Sequence, residues 1–227
     1  MRVAVTTAVD RSENAAAIVA RAHMEPVLLP CIRIQPAADH SLAEFRRAAS
    51  DADMVVATSA RAIDITWPRG MDGLRVAAVG DSTAAAARAV DGHVSLVGTK
   101  GARALVDQLS DLSGSVVAYP HAGGADPIVA TLLRQAGAAL IDVISYTSLA
   151  ISPRDDPVEA VAFGSPSAVE GWASARSLED LVVASIGSST SDALRRFGVQ
   201  AVIEPPRPRF VSLVQALAEH LNQGVHP

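Results

Sequence analysis

The chain has 227 residues, a formal charge of −5, and an apolar fraction of 49% with only 4% aromatics. That length suits one large domain or two small ones with real cores, and the alanine- and valine-rich composition suits a tightly packed α/β protein. No apolar run reaches the roughly 20 residues that cross a bilayer, the acidic balance without a basic cluster argues against nucleic acid, and a single cysteine, Cys31, excludes an internal disulfide framework and fits a reducing compartment such as the cytoplasm.

The beginning, "MRVAVTTAVDRSEN", lacks the long apolar segment of a signal peptide and reads as a strand running into a helix cap. From there to "CIRI" the pattern predicts a strand, a small-residue loop, an alanine-rich helix and a second strand. "VVATSARAI", from Val55, predicts an apolar strand that turns into small hydroxyls and then a short helix ending at Trp67. "VAAVGDSTAAAARAVDGHV" follows as strand, glycine, two residues, threonine and helix. "GTKGAR" lacks the glycine-lysine order of a phosphate-cradling loop and reads as a plain loop.

From Ser115 the series begins again. "SVVAYPHAGGADPIVATLLRQAGAALIDVISYTS" predicts a strand, a loop with His121 exposed on it, a helix closing near Gly137, and a strand whose polar end carries Tyr146. "AVAFGSPSAVEGW" repeats the second device with its own tryptophan, Trp172, and "VVASIGSSTSDALRRFGVQAV" repeats the third. Both tryptophans are expected to pack in cores. Val116 stands 113 residues after Val3, and Gly187 stands 107 after Gly80, a difference that loop length absorbs. The repetition implies an internal duplication. Alternating strands and helices then imply right-handed crossovers, and so two duplicated, mostly parallel, doubly wound α/β domains. Ligands of such sheets bind beyond the carboxyl ends of the strands.

The motifs fall at those ends. Thr58, Ser59 and Ala60 follow one strand, and Gly80, Ser82 and Thr83 another; Ser165, Pro166 and Ser167 follow a third, and Gly187, Ser188, Ser189 and Thr190 a fourth. Helix starts offer amides without internal partners and a dipole that favours anions. Four such turns are expected to converge on one cleft. Serine and threonine are also ordinary N-caps, so each turn alone is open to a purely structural reading. "GSPSAV" departs from the Gly-x-Ser-x-Gly nucleophile elbow by ending in alanine. The six histidines lie singly, without metal-ligand spacing, so no metal is expected.

Taken together, "VVATSARAI", "AVGDSTAAAARA", "GGADPIVATLLRQAGAALIDVISYTS", "VAFGSPSAVEGW" and "ASIGSSTSDALRRFG", with the final helix "FVSLVQALAEHL" after a proline-rich turn, resemble the uroporphyrinogen-III synthase family over nearly the whole chain. The resemblance implies two α/β domains joined by a two-stranded extended linker. Domain 1 would be discontinuous, from 1–33 and 150–227, and domain 2 would span 37–146, with linkers at 34–36 and 147–149. "PCIRIQP" and "YTSLAISP", extended and bounded by proline, suit the crossings.

The implied reaction is a lyase reaction without cofactor. Hydroxymethylbilane loses its hydroxyl as water, and the resulting azafulvene closes the ring through a spiro intermediate with inversion of the last pyrrole. The substrate's eight carboxylates suit turns rich in amides and hydroxyls. By the same resemblance Tyr146 assists departure of the hydroxyl, and Thr83, Ser165 and Thr190 line the cleft.

Two loops depart from the family: Thr7 stands where many members have an arginine after the first strand, and "PHAGG" stands where Arg-Gly is common. Arg11, Arg61, Arg103 and Arg154 are other sources of positive charge. A second reading is therefore a non-catalytic bilobed binding or sensor protein for a tetrapyrrole or other polycarboxylate. A nucleotide-binding transferase would need a phosphate loop that the sequence lacks. No nucleic-acid partner or membrane is expected, the tail "EHLNQGVHP" carries no DNA-binding pattern, and a monomer is expected because helix and strand faces account for the apolar residues.

Overall fold

The computed structural model describes residues 1–109 and 111–223. The chain runs β1 (Arg2–Val5), a 3-10 turn (Val9–Arg11), α1 (Ser12–Arg21), β2 (Glu25–Leu28), β3 (Ile32–Pro36), α2 (Asp39–Ala49), β4 (Met54–Ala57), α3 (Ala60–Thr66), β5 (Arg75–Val79) and α4 (Gly80–Ala89). It continues through β6 (His93–Gly98), α5 (Ala102–Leu109), β7 (Val116–Ala122), α6 (Ile128–Gln135), β8 (Ala139–Ala150), β9 (Ala160–Phe163), α7 (Pro166–Ala173), β10 (Val182–Ser185), α8 (Ser188–Arg196) and α9 (Phe210–Gln223).

Two compact units result, one from Met1–Ile34 with Ser148–Pro227 and the other from Gln35–Thr147. The chain passes between them within β3 and within β8. Residues 32–36 and 139–150 are both extended.

The sheet of the first unit has the order β2-β1-β9-β10, all parallel. The second unit contains β8-β7-β4-β5, also parallel, with β6 added beside β5 and β3 beside β8. Matching each strand to its sequence repeat gives the same order in both units, which is the duplication expressed as topology. The central strands β4 and β9 are buried over all their residues. Helices cover both faces of each sheet, so these strands read as continuous apolar runs rather than alternating ones.

In the first unit Trp172 meets Phe163 edge to face at 6.0 Å, its indole N–H donates to the Ser177 carbonyl at 3.0 Å, and the Arg176 guanidinium lies 4.5 Å over its ring. The opposite face is closed by Val19 of α1 and by Leu213 and Leu217 of α9. Trp67 of the second unit packs edge-on against Phe45 at 5.8 Å. Both tryptophans are core residues.

Cys31 is fully buried, and burial pushes its thiol up to about 12 against the lowering effect of the Arg176 charge. It is a protonated packing group. Among the described residues, no helix is long and apolar enough to cross a membrane.

His121 corrects its expectation. It belongs to β7 rather than to an exposed loop, stacks on Tyr119 at 4.8 Å, and approaches Asp142 at 3.6 Å through Nε2. Pro120 signals a strand end in sequence because it lacks a donor. The pairing of β7 with β8 nevertheless continues past it to Ala122, through an irregularity between His121 and Ala122.

Candidate functional site

The four predicted turns all lie at carboxyl ends of parallel strands, two in each unit. Within each unit the two differ in kind. Ser59 precedes α3 and accepts a hydrogen bond on Oγ from the Ala62 amide at 3.4 Å; Ser165 precedes α7 and accepts one from the Ala168 amide at 3.3 Å. These serines are N-caps. Ala60 and Pro166 open the helices behind them, and Pro166 sits where a fixed φ favours helix initiation and a missing N–H costs nothing.

The starts of α4 and α8 have no side-chain cap. Their first amides remain available, and the helix dipole adds to them, so these are the anion-favouring turns. Gly80 opens α4 at φ +75, a left-handed conformation that glycine adopts without strain. Ser82 is exposed there, and Thr83 is buried in the first turn. Gly187 differs from its counterpart because its φ of 167 is ordinary extended backbone. Ser188 and Ser189 follow, and Thr190 is fully buried with its Oγ1 unpartnered.

In the second unit a hydroxyl pair lies at the exit of β4. The Tyr146 hydroxyl lies 3.0 Å from Ser59 Oγ, and the Arg61 guanidinium sits 5.9 Å from the centre of the Tyr146 ring. Thr58, the residue before Ser59, lies close enough to the Tyr119 hydroxyl to influence its ionisation. Burial pushes the Tyr119 phenol above its ordinary value, the Thr58 side chain acts against that, and the charges of Asp126 and Asp142 reinforce it. Tyr119 therefore stays protonated and is a neutral neighbour of Thr58. The His121 Nδ1 faces the Ala122 carbonyl at 2.9 Å, and Asp142 accepts from Arg134 at 3.0 Å.

The first unit offers Thr6 and Thr7 after β1. Thr6 Oγ1 donates to the Ala162 carbonyl at 2.7 Å and ties β1 to β9, whereas Thr7 Oγ1 is buried without a partner. The position read in sequence as lacking a cation thus holds a small hydroxyl. Ser185, Ser191 and Glu204 form a further hydrogen-bonded chain at the base of the 186–190 turn.

Neither Tyr119 nor Glu204 is singled out by sequence. Tyr119 had a weak signal, as one of only two tyrosines placed just before a strand exit. Glu204 had none, because its partner is thirteen residues away in another element. Among the described residues, no group of three His, Cys, Asp or Glu could hold a metal ion. His226 and the end of the tail lie outside the described residues.

Chemically, the arrangement suits binding of carboxylates by amides and hydroxyls. Ser59 Oγ accepts from the Ala62 amide and keeps both a proton and a second lone pair, so either hydroxyl can donate in the Ser59–Tyr146 bond.

Comparison with known proteins bears on the family and the fold. The family model described as "Uroporphyrinogen-III synthase HemD" matches residues 13–215. A protein of Methanothermobacter thermautotrophicus named "Putative uroporphyrinogen-III synthase" is 28% identical over 253 aligned positions, covering 98% of this chain and 100% of that one. Among solved structures, a mutant uroporphyrinogen III synthase from the extremely thermophilic bacterium Thermus thermophilus superimposes with TM-score 0.67 at 21% identity, covering 98% of this chain and 99% of the other. Uroporphyrinogen-III synthetase from Helicobacter pylori gives 0.64 at 15% identity, with 99% of each chain covered. At these identities the two structures match in fold: mixed α/β, two domains and mostly parallel sheets.

Proposed function

The chain belongs to the uroporphyrinogen-III synthase family, a lyase family of tetrapyrrole biosynthesis, and on that premise we propose that it cyclises hydroxymethylbilane to uroporphyrinogen III. The observation that carries the reading is the Tyr146–Ser59 hydrogen bond at the exit of β4. It pairs a phenol with a serine hydroxyl that can take up the donor role, in a unit whose neighbouring helix α4 starts with uncapped amides.

In this reading Tyr146 donates its proton to the departing hydroxyl as the C–O bond breaks, and a pyrrole nitrogen lone pair drives formation of the azafulvene and one water. Ring closure at the substituted carbon of the last pyrrole gives the spiro intermediate. Its fragmentation and reclosure invert that ring, and loss of a proton restores aromaticity and balances the one taken up. The polar turns contribute orientation. Thr58, Ser59 and Ala60 with Gly80, Ser82 and Thr83 in one unit, and Ser165, Pro166 and Ser167 with Gly187, Ser188, Ser189 and Thr190 in the other, hold carboxylates by amides and hydroxyls. Positioning of this kind converts a flexible chain into a near-attack conformer. No cofactor enters these steps.

One observation favours a second reading, a non-catalytic binder of a tetrapyrrole or other polycarboxylate acting as a monomer in the cytoplasm. Thr7 and the His121–Asp142 pair occupy the two exits where the family's resemblance placed cations. The two readings part on turnover. Purified protein with excess EDTA and no added nucleotide is expected to consume freshly made hydroxymethylbilane well faster than a protein-free blank. Consumption at the blank rate would overturn the synthase in favour of the binder.

A further inference from the structure

We propose that Ser185, Ser191 and Glu204 form a polar clasp that fixes the 186–190 turn, which makes Glu204 a positioning residue for the carboxylate-binding amides of α8; the functional half of this rests on the reading of that turn given above. Ser185 ends β10 and Ser191 closes the first turn of α8, so the pair stands at the two feet of the turn. Both are fully buried, and their hydroxyl oxygens are 2.5 Å apart. Ser191 also contacts Glu204 Oε1. A carboxylate only accepts, so Ser191 donates to Glu204, and Ser185 shares its proton between Ser191 and the more distant Gly187 carbonyl at 3.4 Å. The direction of the chain is thus fixed, and the charge at its end strengthens both bonds.

The carboxylate is itself held in place. The Ser185 amide donates to the Ile203 carbonyl at 2.9 Å, and the Ile203 amide donates to the Val183 carbonyl at 3.0 Å, so the segment before Glu204 runs alongside β10. Pro205 then restricts Glu204 to extended backbone. Pro208 of the same segment lies 3.8 Å from the point where a Gly187 side chain would begin.

The duplicated half supplies an internal control. Its residues equivalent to Ser185 and Ser191 are Ala78 and Ala84, which are buried and apolar. An apolar pair therefore suffices to build this strand, turn and helix. The turn it builds has Gly80 at φ +75, whereas the clasped turn has Gly187 at φ 167. The same sequence pattern takes two backbone shapes, and the clasp is present beneath one of them and absent from the other. Replacing both serines by alanine leaves no buried hydroxyl behind and returns the exposed Glu204 carboxylate to solvent, a change that is nearly neutral for folding.

The test combines two variants and two readouts. Glu204→Ala alters an exposed residue, and Ser185→Ala/Ser191→Ala copies the apolar pair of the other half. The amides of Thr190 and Ser191 both donate to the Gly187 carbonyl, each at 3.0 Å, so their hydrogen exchange reports the turn directly. Both variants are expected to exchange at these two amides at least tenfold faster than the parent, with β10 unchanged. They are also expected to raise KM for hydroxymethylbilane severalfold at nearly constant kcat. Unchanged exchange at Thr190 and Ser191 would overturn the clasp, and faster exchange with an unchanged KM would overturn the positioning role. A parent that does not turn over would overturn the proposed function instead, with the exchange experiment still deciding the clasp.

Discussion

Gly171→Ala is expected to lower the thermal midpoint by roughly 10 °C, from a loss of about 3 kcal/mol at the upper end of ordinary overpacking. A Cβ at this position of α7 would lie 2.4 Å from the Cys31 carbonyl oxygen and 2.6 Å from that of Ile151. Both obstacles are backbone, so neither can turn aside as a side-chain tip would. The Cys31 carbonyl also accepts from the Ile151 amide at 2.9 Å, and displacing it would break the bond that joins these two segments beside α7. Alanine does improve helix propensity over glycine, but that gain is only about 1 kcal/mol, too small to reverse the sign. Gly164 is the matched control, with nothing within 4 Å of its added Cβ and no left-handed φ, so Gly164→Ala leaves the midpoint where it is. Thermal unfolding followed by circular dichroism decides the matter. A Gly171→Ala midpoint within a degree or two of the parent would show that α7 does not sit on these carbonyls.

The second large effect is chemical. Tyr146→Phe is expected to lower kcat about a hundredfold, the lower range for removing a positioned general acid, while KM and the thermal midpoint change little. The phenylalanine ring preserves the packing of a side chain that is only 8% exposed, and it preserves the face beside Arg61. Ser59 keeps its bond from the Ala62 amide, so the turn keeps its cap. What disappears is the hydroxyl next to Ser59 and its proton. Steady-state kinetics on the purified variant give the answer, and near-full turnover would take Tyr146 out of the mechanism.

Much of the architecture is legible from the sequence because strands buried on both faces are written as continuous apolar runs. "MVVA", "VAAV", "AVAF" and "VVAS" are such runs, and each leads within two residues into small polar residues where a helix must begin. The internal repeat then accounts for the common strand order of both sheets. Contacts between strands or segments distant in sequence are the part that does not show. Thr58 and Tyr119 meet because β4 pairs with β7, and nothing local to either residue announces it. Glu204 reaches Ser191 only because residue 203 runs beside β10. His121 was hidden by Pro120, whose missing donor reads as a strand end although the pairing with β8 continues. The paired motifs "VGDST" and "IGSST" look alike in sequence, yet Gly80 is left-handed and Gly187 extended, since backbone conformation there depends on the residues packed beneath the turn.

The central claim is that the residues gathered at these turns steer ring closure, and the isomer produced tests it most directly. Freshly prepared hydroxymethylbilane is incubated with the protein, the products are oxidised, and type I and type III uroporphyrins are separated by chromatography. Unassisted closure gives type I, so the account predicts a clear predominance of type III with the protein present. A product that is type I alone, as in the blank, would contradict it.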